Sequence, residues 1–169
     1  ILMMNYYHKK RTNMSFFLIL LLLLLSNMVE SQALLGLYNI PGSYPTLTAA
    51  INDLNLKGIS STVTFNVASG YSEVAPAGGF RITATGTPAN QIIFQKSGTG
   101  ANPEFTASSS HTLGSINDAI FKIVGGDYIT LDGFTLKERN IVGGIVSADT
   151  AIATNTLTEW GIALLRASN

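Results

Sequence analysis

Apolar residues recur along this chain with two different rhythms, and the change between them falls at Gly58. Before it, in "TLTAAINDLNLK" (46–57), Leu47, Ala50, Ile51 and Leu54 are spaced i, i+3, i+4, i+7 and form one stripe. The spacing predicts a short amphipathic helix. Thr46 is a fitting N-cap, Pro45 blocks backward extension, Lys57 suits the negative end of the helix dipole, and Gly58 suits the position after the last turn.

After Gly58 the period falls to two. Val63, Phe65 and Val67 alternate with Thr64 and Asn66; Phe80 and Ile82 flank Arg81; Ile92 and Phe94 flank Ile93; Phe121 and Ile123 flank Lys122. Ile129 and Leu131 alternate with Thr130 and Asp132, the chain turns at Gly133, and Phe134 and Leu136 continue. A last short strand is expected in "GIALL". Such alternation marks half-buried strands. Turn-rich stretches separate them, at 84–90, 97–105 and 107–118. No second helix interrupts the strands, which disfavours a βαβ layout. Phe65 to Phe94 is 29 positions, and Phe94 to Ile123 is 29 again. A coarse period with turns but no helices predicts a solenoid in which each strand pairs with those above and below. Its first turn would expose an edge and an apolar end, and the helix at 46–57 is placed to cover them.

The segments "YPTLTAAINDLNLKG", "VTFNVASGYSE", "IIFQKSG" and "DYITLDGFTL" resemble the start of right-handed parallel β-helix proteins of the pectin-lyase-like superfamily. They are most similar to large secreted surface proteins of Bacteroidota-type bacteria, over most of residues 38–169. The resemblance implies an all-β fold: the first coils of a right-handed parallel β-helix with an N-terminal capping helix. It says little about activity, because this fold hosts lyases, hydrolases, esterases and non-catalytic adhesins. In this family "GYSEV" (70–74) would mark the first coil, with Glu73 satisfying nearby backbone donors.

The region before the helix changes the expected location. Residues 1–13 are polar and basic, Phe16 to Leu25 is a continuous apolar run, and small residues lie at cleavage-compatible spacing around Ser31 and Ala33. This is the layout of a signal peptide, expected over 1–33, and its apolar run is shorter than the ~18–20 residues a bilayer span requires. The expected product, 34–169, is secreted or on the outer cell surface, with no membrane span after cleavage. Ile1 is not an initiator methionine, and the apolar run before Asn169 has no closing element. The chain is therefore expected to be the front piece of a longer protein.

Lys and Arg number 10, Asp and Glu 10. Because Lys9, Lys10 and Arg11 lie in the leader, the remainder is slightly acidic, and a nucleic-acid partner is not expected. The absence of cysteine removes disulfides and thiolate metal sites.

Candidate chemistry is sparse. His111 is the one histidine after the leader and sits in a Ser-rich loop, where a solvated role is expected over a triad. Asp127, Asp132, Lys137, Glu138 and Arg139 form the densest charge cluster. They could serve a lyase, with carboxylates holding Ca²⁺ and a base taking the proton beside a uronate carboxyl. The competing expectation is structural, with Asp132 bonding the Gly133 turn and Lys137 pointing outward. Tyr38, Tyr44, Tyr71, Tyr128 and Trp160 are read as outward aromatics able to stack on sugar rings. Tyr71, Tyr128 and Trp160 are the candidate glycan contacts. No catalytic, cofactor or metal residue is assigned. The leading expectation is adhesion or binding to an extracellular polysaccharide or surface glycan. The alternative is the front of a polysaccharide lyase or other carbohydrate-active enzyme whose site lies downstream.

Overall fold

A computed structural model of the chain describes residues 32–108, 118–138, 158 and 160–167. The chain divides into two units at Gln32–Ala33. Almost all of the first lies outside the described residues, and with it the expected signal peptide. His111 and Arg139 lie outside them too.

The second unit is predominantly β, with parallel sheets and one described helix. Its elements are β1 (Leu34–Ile40), α1 (Leu47–Lys57), β2 (Ile59–Ala68), β3 (Ser72–Val74), β4 (Phe80–Ile82), β5 (Ile92–Ser97), β6 (Glu104–Thr106), β7 (Ala119–Val124), β8 (Ile129–Asp132), β9 (Thr135–Lys137) and β10 (Trp160–Leu165). They form three parallel sheets, in the orders β1-β2-β5-β8, β3-β6-β9 and β10-β7-β4. The chain visits the sheets in rotation. Sequential passes therefore run β2, β3, β4, then β5, β6, β7, then β8, β9, β10.

The period-two pattern places the core. Inward residues stack in columns across strands, Tyr38 on Phe65 on Phe94 on Leu131, and Phe80 on Phe121 on Ile162. The Phe65 and Phe94 rings are parallel, with centroids 4.7 Å apart. Phe105 meets Phe80 and Phe121 edge-on at 5.4 and 5.5 Å and ties the second sheet to the third. Each buried Phe contributes about 1.5–3 kcal/mol by removal from water, and each ring pair about 0.5–1.5 kcal/mol more.

The expected 29-residue interval holds for one step only. Phe65 pairs with Phe94, but the next partner of Phe94 is Leu131. Ile123 belongs to the third sheet, over Ile82. The loops between strands differ in length, so equal spacing of strand centres did not mean one column.

Helix α1 begins at the expected cap: the Thr46 hydroxyl accepts from the Ala49 amide at 3.0 Å. It ends at Gly58, which has φ +64° and donates its N–H to the Leu54 carbonyl. Leu47, Ala50, Ile51 and Leu54 are all buried. One strand was not foreseen ahead of it. β1 pairs in parallel with β2, so the first sheet continues past β2, while α1 occupies the layer beyond β3 and β4. The helix thus covers two sides of this end and a strand covers the third.

Candidate functional site

Two surfaces offer polar groups in ordered array. The first is the outward face of the four-stranded sheet. Because Tyr38, Phe65, Phe94 and Leu131 turn inward, their neighbours Asn39, Asn66, Gln95 and Asp132 turn outward and lie in register across four strands. At about 4.8 Å per strand the column runs for about 14 Å. The Gln95 side-chain amide donates to Asn66 Oδ1 at 2.9 Å, fixing two of these side chains relative to each other. Asn39 and Asp132 at the two ends are exposed. Asp132 makes no hydrogen bond to the Gly133 turn, contrary to expectation. Gly133 itself has φ +73°, and a side chain there would press on Lys96 Cβ at 2.9 Å.

The second surface is the seam between α1 and the edges of the two smaller sheets. Glu73 occupies an inward position of β3, in register with buried Phe105. A carboxylate fits there because the next layer is the start of a helix with unpaired N–H groups. Its oxygens accept from the Leu47 amide at 2.7 Å and the Thr48 amide at 3.1 Å. The Thr48 hydroxyl and the Tyr71 hydroxyl donate to it as well, the latter at 2.6 Å. This is the backbone-satisfying role expected of Glu73. Burial, and then the bond to Glu73, raise the Tyr71 pKa well above the usual tyrosine value.

At the neighbouring edge, Asn55 treats β4 as a strand would. Its Nδ2 donates to the Arg81 carbonyl at 2.7 Å, and its Oδ1 accepts from the Thr83 and Ala84 amides at 2.8 and 3.2 Å. Donation to one residue's carbonyl and acceptance from the amide two positions on is the bonding of a parallel ladder partner. A side-chain amide has replaced a peptide group. Between α1 and the loop joining β3 to β4 lies a groove of about 320 Å³, lined among others by Thr48, Asn52, Pro76, Gly79 and Arg81.

A third cluster is structural. The Tyr44 hydroxyl donates to Asp53 at 2.6 Å, and Lys57 reaches the same carboxylate at 2.9 Å. Burial and then the Asp53 bond raise the Tyr44 pKa. For Asp53, burial pushes upward, but the Lys57 and Tyr44 bonds outweigh it and hold the carboxyl below its usual range.

The expected aromatic set is not gathered on one face. Tyr71 stands at the corner between β2 and β3, Tyr128 at the corner before β8, and Trp160 at the start of β10 in the third sheet. Tyr128 and Trp160 are 49% and 47% exposed. Tyr38, Tyr44 and Tyr71, expected to face outward, pack against the core instead. Tyr38 and Tyr44 lie 5.7 and 6.1 Å from Phe65, and Tyr71 lies 6.3 Å from Phe105. Ring burial wins because Tyr44 and Tyr71 each still have a carboxylate for the hydroxyl.

The charge cluster also separates. Asp132 is on the first sheet. Lys137 is on the second, 3.4 Å from Glu104. Glu138 accepts from the Thr158 amide at 2.9 Å. Asp127 sits in the loop before β8, and its amide donates to the Thr85 hydroxyl. Among the described residues no three acidic or histidine side chains converge as metal ligands would. Among them, too, no helix is long and apolar enough to cross a membrane.

Sequence reasoning missed Asn55 and β1. An Asn on the flank of an amphipathic helix reads as solvated, and nothing in its spacing announces a strand edge beside it. No protein-family model, curated protein or solved structure matches the chain.

Proposed function

We propose that this chain forms coils of a secreted or cell-surface right-handed parallel β-helix of the pectin-lyase-like kind. In this reading it binds an extracellular polysaccharide or surface glycan and is not itself catalytic. The rotation of the chain through three parallel sheets supports the coil, and the strong preference of parallel crossovers supports its hand.

The observation that carries the binding reading is the outward column Asn39, Asn66, Gln95, Asp132. Amide and carboxylate groups at regular strand spacing offer donors and acceptors to successive hydroxyls of a sugar chain. Tyr128 leads directly into β8 of the same face and supplies an exposed ring for stacking. The column is part of a sheet whose other side is close-packed aromatic core, so its side chains start from fixed anchors.

The test is affinity electrophoresis of the full chain through gels containing neutral polysaccharides such as xylan or glucomannan. Retardation by at least one is expected. Asn66→Ala with Gln95→Ala should weaken that binding about thirtyfold, at about 1 kcal/mol per lost hydrogen bond. No retardation in any gel, or a double variant that binds as well as the parent, refutes the reading.

A further inference from the structure

The third sheet places two cations side by side. Arg81 of β4 and Lys122 of β7 are register partners. Both face outward, since their neighbours Phe80, Ile82, Phe121 and Ile123 are buried. Parallel strands set such residues about 4.8 Å apart, and like charges directly opposite destabilise a sheet. Two lysines elsewhere find acidic partners, Lys57 with Asp53 and Lys137 with Glu104, and Lys96 donates to the Gly100 carbonyl and Asn102. Among the described residues, neither the Arg81 guanidinium nor the Lys122 ammonium has an acidic partner.

The pair borders the groove beside α1. Arg81 lines it. The Lys122 Nζ lies beside the loop that forms the opposite wall, 3.6 Å from where a side chain on Gly78 would begin. That wall is held close to the sheet, because Gly79 has φ +80° and approaches the Ala119 carbonyl too closely for any Cβ. Asn52, exposed on the helix rim of the same groove, contributes an amide with no partner among the described residues.

We propose that this groove is a binding site for an oxyanion, a carboxylate or sulfate group carried on a larger ligand. Arg81 grips it as a planar fork, Lys122 adds a point charge from the next strand, and Asn52 donates from the helix. The ligand's charge removes the repulsion that the empty pair carries. This site lies on a different sheet from the column described under the proposed function and does not depend on it.

Three dextrans of one size separate the alternatives: neutral dextran, carboxymethyl-dextran and dextran sulfate, each titrated into the full chain at low ionic strength. Binding of one or both charged forms but not the neutral one is expected, and which of the two binds identifies the oxyanion. Binding should weaken as salt is added. Arg81→Gln and Lys122→Gln should each lower affinity about tenfold. Arg81→Lys should recover only part, because the fork is lost. Lys137→Gln, which removes the same charge from another sheet, should have little effect. Without ligand, the Arg81→Gln/Lys122→Gln variant should melt no lower than the parent.

Equal loss in Lys137→Gln would make the effect one of net charge and overturn the site, as would binding to neither charged dextran. A double variant that melts lower would assign the pair to the fold and overturn the proposal too. Loss of neutral-polysaccharide binding in Asn66→Ala/Gln95→Ala, with oxyanion binding intact, would show the two readings standing or falling separately.

Discussion

Replacing Asn55 by Ala tests whether a single side chain closes the edge of β4. Three backbone groups lose their partner: the Arg81 carbonyl and the Thr83 and Ala84 amides. Asn55 is half-buried, so water reaches these groups in part and the cost sits near the low end for orphaned groups, about 1 kcal/mol each. Against this, Ala is the better helix former by up to about 0.7 kcal/mol. The net loss is then about 2 kcal/mol, or about 8 °C in melting temperature for a domain of this size. Urea unfolding of the full chain, followed by circular dichroism, measures it. Leu56→Ala, at a neighbouring position 76% exposed, is the control and should change stability by less than about 0.5 kcal/mol. The sign decides the matter. If Asn55 were an ordinary surface residue, the variant would be slightly more stable than the parent, and that result would refute the ladder-partner role.

Other expectations concern the same end of the molecule. Gly79→Ala would put a Cβ 2.1 Å from the Ala119 carbonyl oxygen and should cost about 3 kcal/mol or more. Gly70→Ala, at φ +72° with open space, should cost only about 1 kcal/mol, and thermal melts of the two separate clash from backbone strain. Leu47→Asp with Leu54→Asp buries two charges under the helix and should abolish cooperative unfolding; an unchanged melt would contradict the covering role. Tyr44 and Tyr71 have folded pKa values above the unfolded one, so their contribution is complete below about pH 10 and is lost as pH rises past it. Tyr44→Phe/Tyr71→Phe should therefore flatten the fall of the urea midpoint between about pH 10 and 12, and an identical slope in parent and variant would be contrary evidence.

Much of the fold is legible in the chain because alternation survives wherever a strand is long enough to show it. β2, β5, β7, β8 and β10 all carry it, and α1 carries its own stripe and caps. The strands that escaped are short or atypical. β3 and β6 have three residues each, too few to establish a period, and the inward position of β3 is a glutamate. β1 exposes Leu35 and Leu37 while it half-buries Tyr38, which blurs its alternation. The candidate polar surfaces were hidden for a different reason. Asn66 and Gln95, like Arg81 and Lys122, become neighbours only through sheet register, and register follows from loop lengths that no single periodicity reveals. The aromatic reading failed for Tyr38, Tyr44 and Tyr71 because a sequence shows the ring but not the carboxylate or core waiting for it.

The way α1 meets the sheets gives the domain a direction. At that pole, Asn55 takes up the backbone groups of the β4 edge while Glu73 of β3 ties down the start of α1, and no incoming strand can dock on β4 without evicting Asn55. At the opposite pole, β8, β9 and β10 are the last described strands of their sheets, and Trp160, Ile162 and Leu164 continue the apolar columns into the open. Lengthening of the third sheet is thereby confined to one side, much as a zipper with a sewn stop closes only from its free end.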